Sequence, residues 1–247
     1  MKDEDSIIKE NIEYKTSINR YTIINHLNNS NNIGIELGVA EGNYSARMLK
    51  SNKFKFFYGV DSYKTFPHDE KQFNKTKKKL SKYNNYKLIR DTFENSLTLF
   101  DDNYFDYIYI DGFANTGNNN GKTLNQWFSK LKIGGIIAGD DYHSDWPIII
   151  KTLNSFIRNT NLKLYVTTVD DDNVYSQYPS WFIVKKDNNK NLFQNLDQHE
   201  CEKITVEIDR KNYFLKYYKS KLYYFLKKLF GKKMFYSLLK IYHLLIK

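Results

Sequence analysis

The sequence predicts an α/β fold, a mostly parallel seven-stranded sheet with helices on both faces. Two observations carry that expectation. Short apolar runs (Ile33–Leu37, Lys55–Val60, Tyr107–Ile110, Gly135–Gly139) alternate with stretches of helical periodicity, the pattern of a parallel sheet covered by its crossover helices. Several runs also stop on a glycine turn or an acid: the first enters Gly38-Val39-Ala40-Glu41-Gly42, and the second ends at Asp61. In open α/β sheets, ligands bind just beyond the carboxyl ends of the strands.

Taken in order, residues 6–30 predict one or two polar helices over a sheet edge. The first strand is followed by a helix over 43–50, and the second by a loop and a Lys-rich helix over 70–82. A third strand spans Tyr86–Arg90, with a helix near 94–100 after it. Beyond the fourth strand, residues 112–121 are rich in Gly and Asn and predict a substrate-facing loop. A helix running to Lys130 leads into the fifth strand. Pro147 suits the first turn of the next helix, which reaches Arg158. Leu162–Val169 and Trp181–Lys185 read as the last two strands, one of them antiparallel, with a solvated acidic loop at 170–173 between them. The expected divisions are an N-terminal helical segment (1–32), the sheet domain (33–186), a linker (187–209) and a basic helical tail (210–247).

Gly38 and Gly42 allow close backbone approach to a ligand at a helix start. Asp61, about twenty residues on, is placed to accept hydrogen bonds from two ribose hydroxyls. Ala40 occupies the middle of a Gly-x-x-x-Gly spacing, so the dinucleotide fingerprint is not met and a smaller nucleoside cofactor is expected. Glu36, Asp61, Asp91, Asp111, Asp140 and Asp141 all fall at strand ends. Converging carboxylates repel unless a cation or hydrogen-bond donors compensate them, and Mg²⁺ would both bind such oxygens and acidify a coordinated hydroxyl. The plainer alternatives are that Asp111 shapes its Asp-Gly turn, that Asp140 or Asp141 caps the next helix, and that Asp91 merely ends its strand.

With the segments Phe105-Asp106-Tyr107-Ile108-Tyr109-Ile110-Asp111-Gly112 and Leu131–Tyr142 added, the chain resembles class I S-adenosylmethionine-dependent methyltransferases over roughly residues 33–186. It is most similar to the branch whose fifth strand ends Asp-Asp-Tyr, which includes metal-dependent sugar and surface-glycan O-methyltransferases. The resemblance implies a Rossmann-like fold and S-adenosylmethionine held by Glu36, Gly38, Gly42, Asp61, Asp91 and Asp111. It also implies a divalent cation such as Mg²⁺ on Asp111, Asp140 and Asp141, and a saccharide or lipid-linked glycan acceptor. His143, beside Asp111 and Asp141, is the candidate base. Phe113 stands where relatives often carry a polar or acidic base, so Asp145 or a metal-bound hydroxide are the substitutes. His68 reads as a lid residue. One or two of Tyr63, Phe66, Phe113, Tyr142 and Trp146 are expected to stack on sugar or adenine.

Charge is unevenly distributed. Residues 210–247 hold eleven Lys or Arg and no Asp or Glu, whereas the whole chain is +10, which leaves residues 1–209 at −1. A near-neutral body argues against a nucleic-acid substrate, which would call for a basic face at the site. In the tail, Phe214, Leu215, Tyr218, Leu222, Phe225, Leu226 and Leu229 share one helical stripe. Met234, Phe235, Leu238, Ile241, Tyr242 and Leu245 share another, and lysines lie off both. Such helices suit an anionic membrane surface; packing on the body or on a second copy, as a homo-oligomer, is the other use of those stripes. A single cysteine, Cys201, and an acidic N-terminus without an apolar stretch fit a cytoplasmic protein, peripheral at the inner face of the membrane. The rival readings are a nucleic-acid methyltransferase and a non-catalytic membrane-binding module.

Overall fold

The structure is a computed structural model that describes residues 4–28, 30–64, 68–111, 121–169 and 178–187, together with 196, 197, 199, 201–204, 206 and 229. Gly112, Phe113, Phe66, the loop at 170–173, most of the linker and all of the tail except Leu229 lie outside the described residues. The chain divides into two compact units, Met1–Glu202 and Lys203–Lys247. Among the described residues, no helix is long and apolar enough to cross a membrane.

The first unit contains an eight-stranded sheet in the order β1-β7-β8-β6-β5-β2-β3-β4. Its strands are β1 (Ile12–Lys15), β2 (Asn32–Leu37), β3 (Phe54–Val60), β4 (Tyr86–Ile89), β5 (Phe105–Ile110), β6 (Leu131–Gly139), β7 (Leu164–Thr167) and β8 (Trp181–Val184). Among the described strands, only β8 runs antiparallel to its neighbours, β6 and β7. The helices are α1 (Glu4–Asn11), α2 (Asn43–Lys50), α3 (Glu70–Leu80), α4 (Phe93–Ser96), α5 (Lys122–Lys130) and α6 (Pro147–Thr160), and Ile23–His26 and Leu97–Leu99 form 3₁₀ turns.

The expected count of seven strands is corrected to eight, and the helical reading of residues 6–30 holds only for α1 and the Ile23–His26 turn. Ile12-Glu13-Tyr14-Lys15 pairs in parallel with β7 at the sheet edge. A four-residue edge strand buries little, and Tyr14 remains exposed, so its apolar signal is weak.

Side-chain alternation splits the core into two layers. On one face Ile35, Leu37, Ile108, Ile110 and Ile137 pack under α5 and α6 through Trp127, Phe128, Leu153 and Phe156. On the other, Tyr107, Tyr109, Phe57 and Ala138 pack under α2 and the Ile23–His26 turn through Tyr44, Met48, Ile23 and Ile24. The parallel register aligns Leu37 with Val60 and with Ile110, and Ile110 with Gly139. The next residue on each strand therefore falls in one row along the carboxyl edge: Gly38, Asp61, Asp111 and Asp140. The hydrogen bonds from Gly38 N to Val60 O (2.9 Å) and from Asp111 N to Leu37 O (2.7 Å) extend the ladder to that row. Strand order reverses between β2 and β5, the switch point at which ligands bind in such sheets.

Candidate functional site

The row has two halves. At the β2–β3 end, Asp61 is engaged by backbone: Oδ2 accepts the Ala40 amide (2.9 Å) and Oδ1 the Tyr63 amide (3.0 Å). The Ala40 carbonyl accepts the hydroxyls of Tyr63 (2.9 Å) and Thr76 (2.8 Å). These bonds matter because Ala40 (φ 45°) and Tyr63 (φ 48°) are left-handed, a conformation that costs a side-chain-bearing residue roughly 1–2 kcal/mol. Of the six described non-glycine residues with positive φ, three are asparagines, which tolerate it; the others are Ala40, Tyr63 and Asp141 (φ 64°), all on this edge. Strain of this kind persists where surrounding bonds over-determine it, and it gathers at functional sites. Gly42 (φ 69°) caps α2, and a Cβ there would also meet Leu80 Cδ1 at 2.8 Å.

Each Asp61 oxygen retains acceptor capacity beyond its one amide, which fits the ribose of an adenosyl group. Asp91 accepts the Thr92 amide (2.7 Å) and the Asn95 side-chain amide (3.0 Å) on Oδ1. The Thr92 bond foremost, then that of Asn95, holds its carboxyl below the usual range. Glu36 is 1% exposed. The Ser45 hydroxyl of α2 donates to it, and burial pushes its carboxyl well up. It ties β2 to the helix behind the glycine turn.

At the β5–β6 end the charges are balanced by a residue that motif spacing did not single out. Arg20 Nη2 lies 2.8 Å from Asp111 Oδ2, and Nη1 lies 2.6 Å from Asp140 Oδ2. The guanidinium is 4% exposed and sits 5.1–5.5 Å from the ring centroids of Tyr21, Tyr44 and Tyr109. Asp140 Oδ1 takes the Ser180 hydroxyl (2.6 Å), and its carbonyl takes the Trp181 indole N–H (3.2 Å). Burial pushes the Asp140 carboxyl up and Arg20 opposes the shift. Sequence alone offered one hint of Arg20: only five of the 38 basic residues are Arg, and Arg has the forked geometry that bridges carboxylates.

Local sequence sets Arg20 in place. β1 runs toward the carboxyl edge, where Ile18 O accepts the Thr168 amide beyond β7 (2.8 Å). Asn19 Oδ1 then accepts the Tyr21 and Thr22 amides (3.0 and 3.1 Å), and the Thr22 hydroxyl accepts the Asn19 amide (2.9 Å). This closed turn presents Arg20 to the two acids.

The cation expected on Asp111, Asp140 and Asp141 does not fit this arrangement. Two of the three acids already spend oxygens on Arg20, and among the described residues no group of three His, Cys, Asp or Glu side chains is placed to hold a metal ion. Asp141 differs from its neighbours in having no side-chain hydrogen bond or ion pair to the described residues. Burial, then the nearby Asp140 and Asp111 charges, push its carboxyl up to about 7.

His143 stands at the rim. Its Nδ1 accepts the Asp145 amide (3.2 Å) and its ring lies 4.6 Å from that of Tyr178. That bond engages the Nδ1 lone pair within the same loop. Asp145 accepts the Tyr178 hydroxyl (2.9 Å). His68 Nδ1 is 2.8 Å from Gln72 Oε1 on α3. Of the aromatic candidates, Tyr63 is 2% exposed, and Tyr142 and Trp146 are half-buried against the core.

Residues 35–142 match the family described as "Methyltransferase domain". No curated protein matches the sequence. Among solved structures, the chain is similar to an rRNA methylase from Streptococcus thermophilus (TM-score 0.51, 14% identity, covering 76% of this chain and 99% of that one). It is also similar to cofactor-bound Rv0187 from MTB (TM-score 0.52, 10% identity, 74% and 88%). A spermidine synthase from Thermotoga maritima aligns at TM-score 0.49 and 14% identity over 70% of this chain, and the match spans only 60% of that protein's length. Residues 35–142 thus match a family of methyltransferase domains, and the chain has the Rossmann-like α/β fold that solved methyltransferases share.

Proposed function

We propose that the chain transfers a methyl group from S-adenosylmethionine to a hydroxyl oxygen of a saccharide or glycan precursor. The observation that carries this reading is Asp141, a carboxylate free of described partners and raised to about 7, beside the Arg20-bridged acids. Gly38, Gly42, Asp61 and Asp91 would hold the adenosyl group, with Glu36 anchoring the turn from behind. S-adenosylmethionine, when bound, supplies an electrophilic methyl group. Asp141 would take the acceptor's proton as the methyl group passes from sulfur to the acceptor oxygen, the electron pair of the broken sulfur–carbon bond staying with sulfur. Positioning and proton removal are what such an in-line transfer asks of the protein. The saccharide class comes from the Asp-Asp-Tyr resemblance, and the basic amphipathic helices expected over residues 210–247 would bring the enzyme to lipid-linked acceptors at an anionic surface.

Calorimetric titration with S-adenosylhomocysteine, followed by methyl-transfer assays on a panel of nucleotide sugars and lipid-linked glycans, tests the reading. Saturable heat and transfer to a hydroxyl are expected. Absence of heat at millimolar ligand would end it.

A further inference from the structure

We propose that Arg20 is the built-in cation of the acceptor site and that it makes methyl transfer by this chain independent of divalent metal. The inference rests on the methyltransferase reading for its reaction and on the Arg20 geometry for its substance. Three carboxylates on adjacent strand ends need positive charge. Here a guanidinium lies between two of them, at 2.8 Å from Asp111 and 2.6 Å from Asp140. Both Asp140 oxygens are already engaged, one by Arg20 and the other by Ser180. A Mg²⁺ ion can sit on one or two carboxylates with waters completing its shell, but here it would have to share Asp111 and Asp140 with a guanidinium that already offsets their charge. Arginine is not lost by deprotonation, as a buried lysine could be, and its removal would leave the buried Asp140 and the partly exposed Asp111 without their counter-charge.

The site is built for this occupant. The Asn19–Thr22 turn fixes the backbone of Arg20, and three tyrosine rings enclose its charge. The pair opens outward only at Asp111, whose side chain is 31% exposed against 7% for Asp140. Asp111 Oδ1 is then the acceptor that orients a neighbouring substrate hydroxyl, while Arg20 supplies the compensating charge from behind. Arg20 also lies outside residues 35–142, the span of the family match, so it is a feature of this chain's N-terminal segment. It acts through Asp111 and Asp140 and is a positioning residue.

The test follows free Mn²⁺ by electron paramagnetic resonance in the full chain. Wild type is expected to leave the Mn²⁺ signal undiminished at millimolar metal. Arg20→Ala, verified as folded by circular dichroism, is expected to bind Mn²⁺ at least tenfold more tightly, because two facing carboxylates are released. A merely structural arginine would not confer that gain, so a folded variant without it overturns the proposal. So does Mn²⁺ binding by wild type that Asp140→Asn abolishes. Should Arg20→Ala fail to fold, wild type carries the test through turnover: a rate unchanged within twofold by EDTA and by added Mg²⁺ is expected, and loss in EDTA with recovery in Mg²⁺ overturns it. Absence of S-adenosylhomocysteine heat would sink the methyltransferase reading, while the Mn²⁺ titration would still report on Arg20.

Discussion

The two halves of the carboxyl edge are held by different physics. At the β2–β3 end side chains bind backbone: Asp61 fastens the Ala40 amide across 21 residues of sequence, and the Tyr63 and Thr76 hydroxyls hold the Ala40 carbonyl. At the β5–β6 end, acids bind a side chain brought from 91 residues away in the case of Asp111. The first arrangement is set by local spacing. The second depends on where a distant segment happens to pack. A cradle made of backbone suits a cofactor whose shape does not change, whereas a side-chain cluster can be altered without dismantling the turn.

The difference can be broken one end at a time. The largest effect is expected from Asp141→Asn, with kcat reduced roughly 10²–10⁴-fold and S-adenosylhomocysteine affinity unchanged by calorimetry. In wild type, activity should rise as pH passes through about 7, where Asp141 becomes ionised, and the variant should lose that inflection. The sign for stability is opposite. The folded state keeps the Asp141 proton up to about pH 7 while the unfolded chain releases it near 3.8, so this acid makes the fold progressively less stable from pH 4 to 7. Urea melts should show a shallower decline for Asp141→Asn across that window.

Next comes Arg20→Met, which strands two carboxylates and should cost about 3–5 kcal/mol in urea unfolding. Adding Asp111→Asn and Asp140→Asn to it should restore most of the loss, which would show that charge, more than side-chain packing, is at stake. Asp61→Ala, at the other end, leaves the Ala40 and Tyr63 amides without their acceptor. We expect a loss of about 1–3 kcal/mol together with at least tenfold weaker S-adenosylhomocysteine binding, and normal behaviour of the Arg20 cluster toward Mn²⁺. The smallest change is Ala40→Gly. Relief of left-handed strain and added backbone entropy in the unfolded chain oppose each other, so the melting midpoint should move by about 1 kcal/mol or less.

How much of this was readable in the sequence follows the same division. β2, β3, β5 and β6 announced themselves because a strand buried on both faces needs an unbroken apolar run, and the alignment of Asp61, Asp111 and Asp140 follows once those strands are parallel. β1 escaped notice because four half-exposed residues bury too little to leave a pattern. Arg20 was missed for a related reason: carboxylates at strand ends can be counted along a sequence, but the guanidinium paired with Asp111 and Asp140 comes from a polar segment with no motif of its own. His143 follows the acid pair in sequence, and its Nδ1 accepts a bond from its own loop, which no motif spacing shows.

Because β1 pairs only with β7, the earliest-made strand is among the last that can find its place. On the ribosome, Arg20 emerges long before residues 164–167 exist to receive the strand beside it. The glycine turn and Asp61 can meet as soon as β3 is made, so the cradle proposed for the cofactor is complete while the acids of β5 and β6 still repel one another. Competence for chemistry would then arrive late in synthesis, as a long-range closure, and a nascent chain stalled before β7 would have half a site and no turnover.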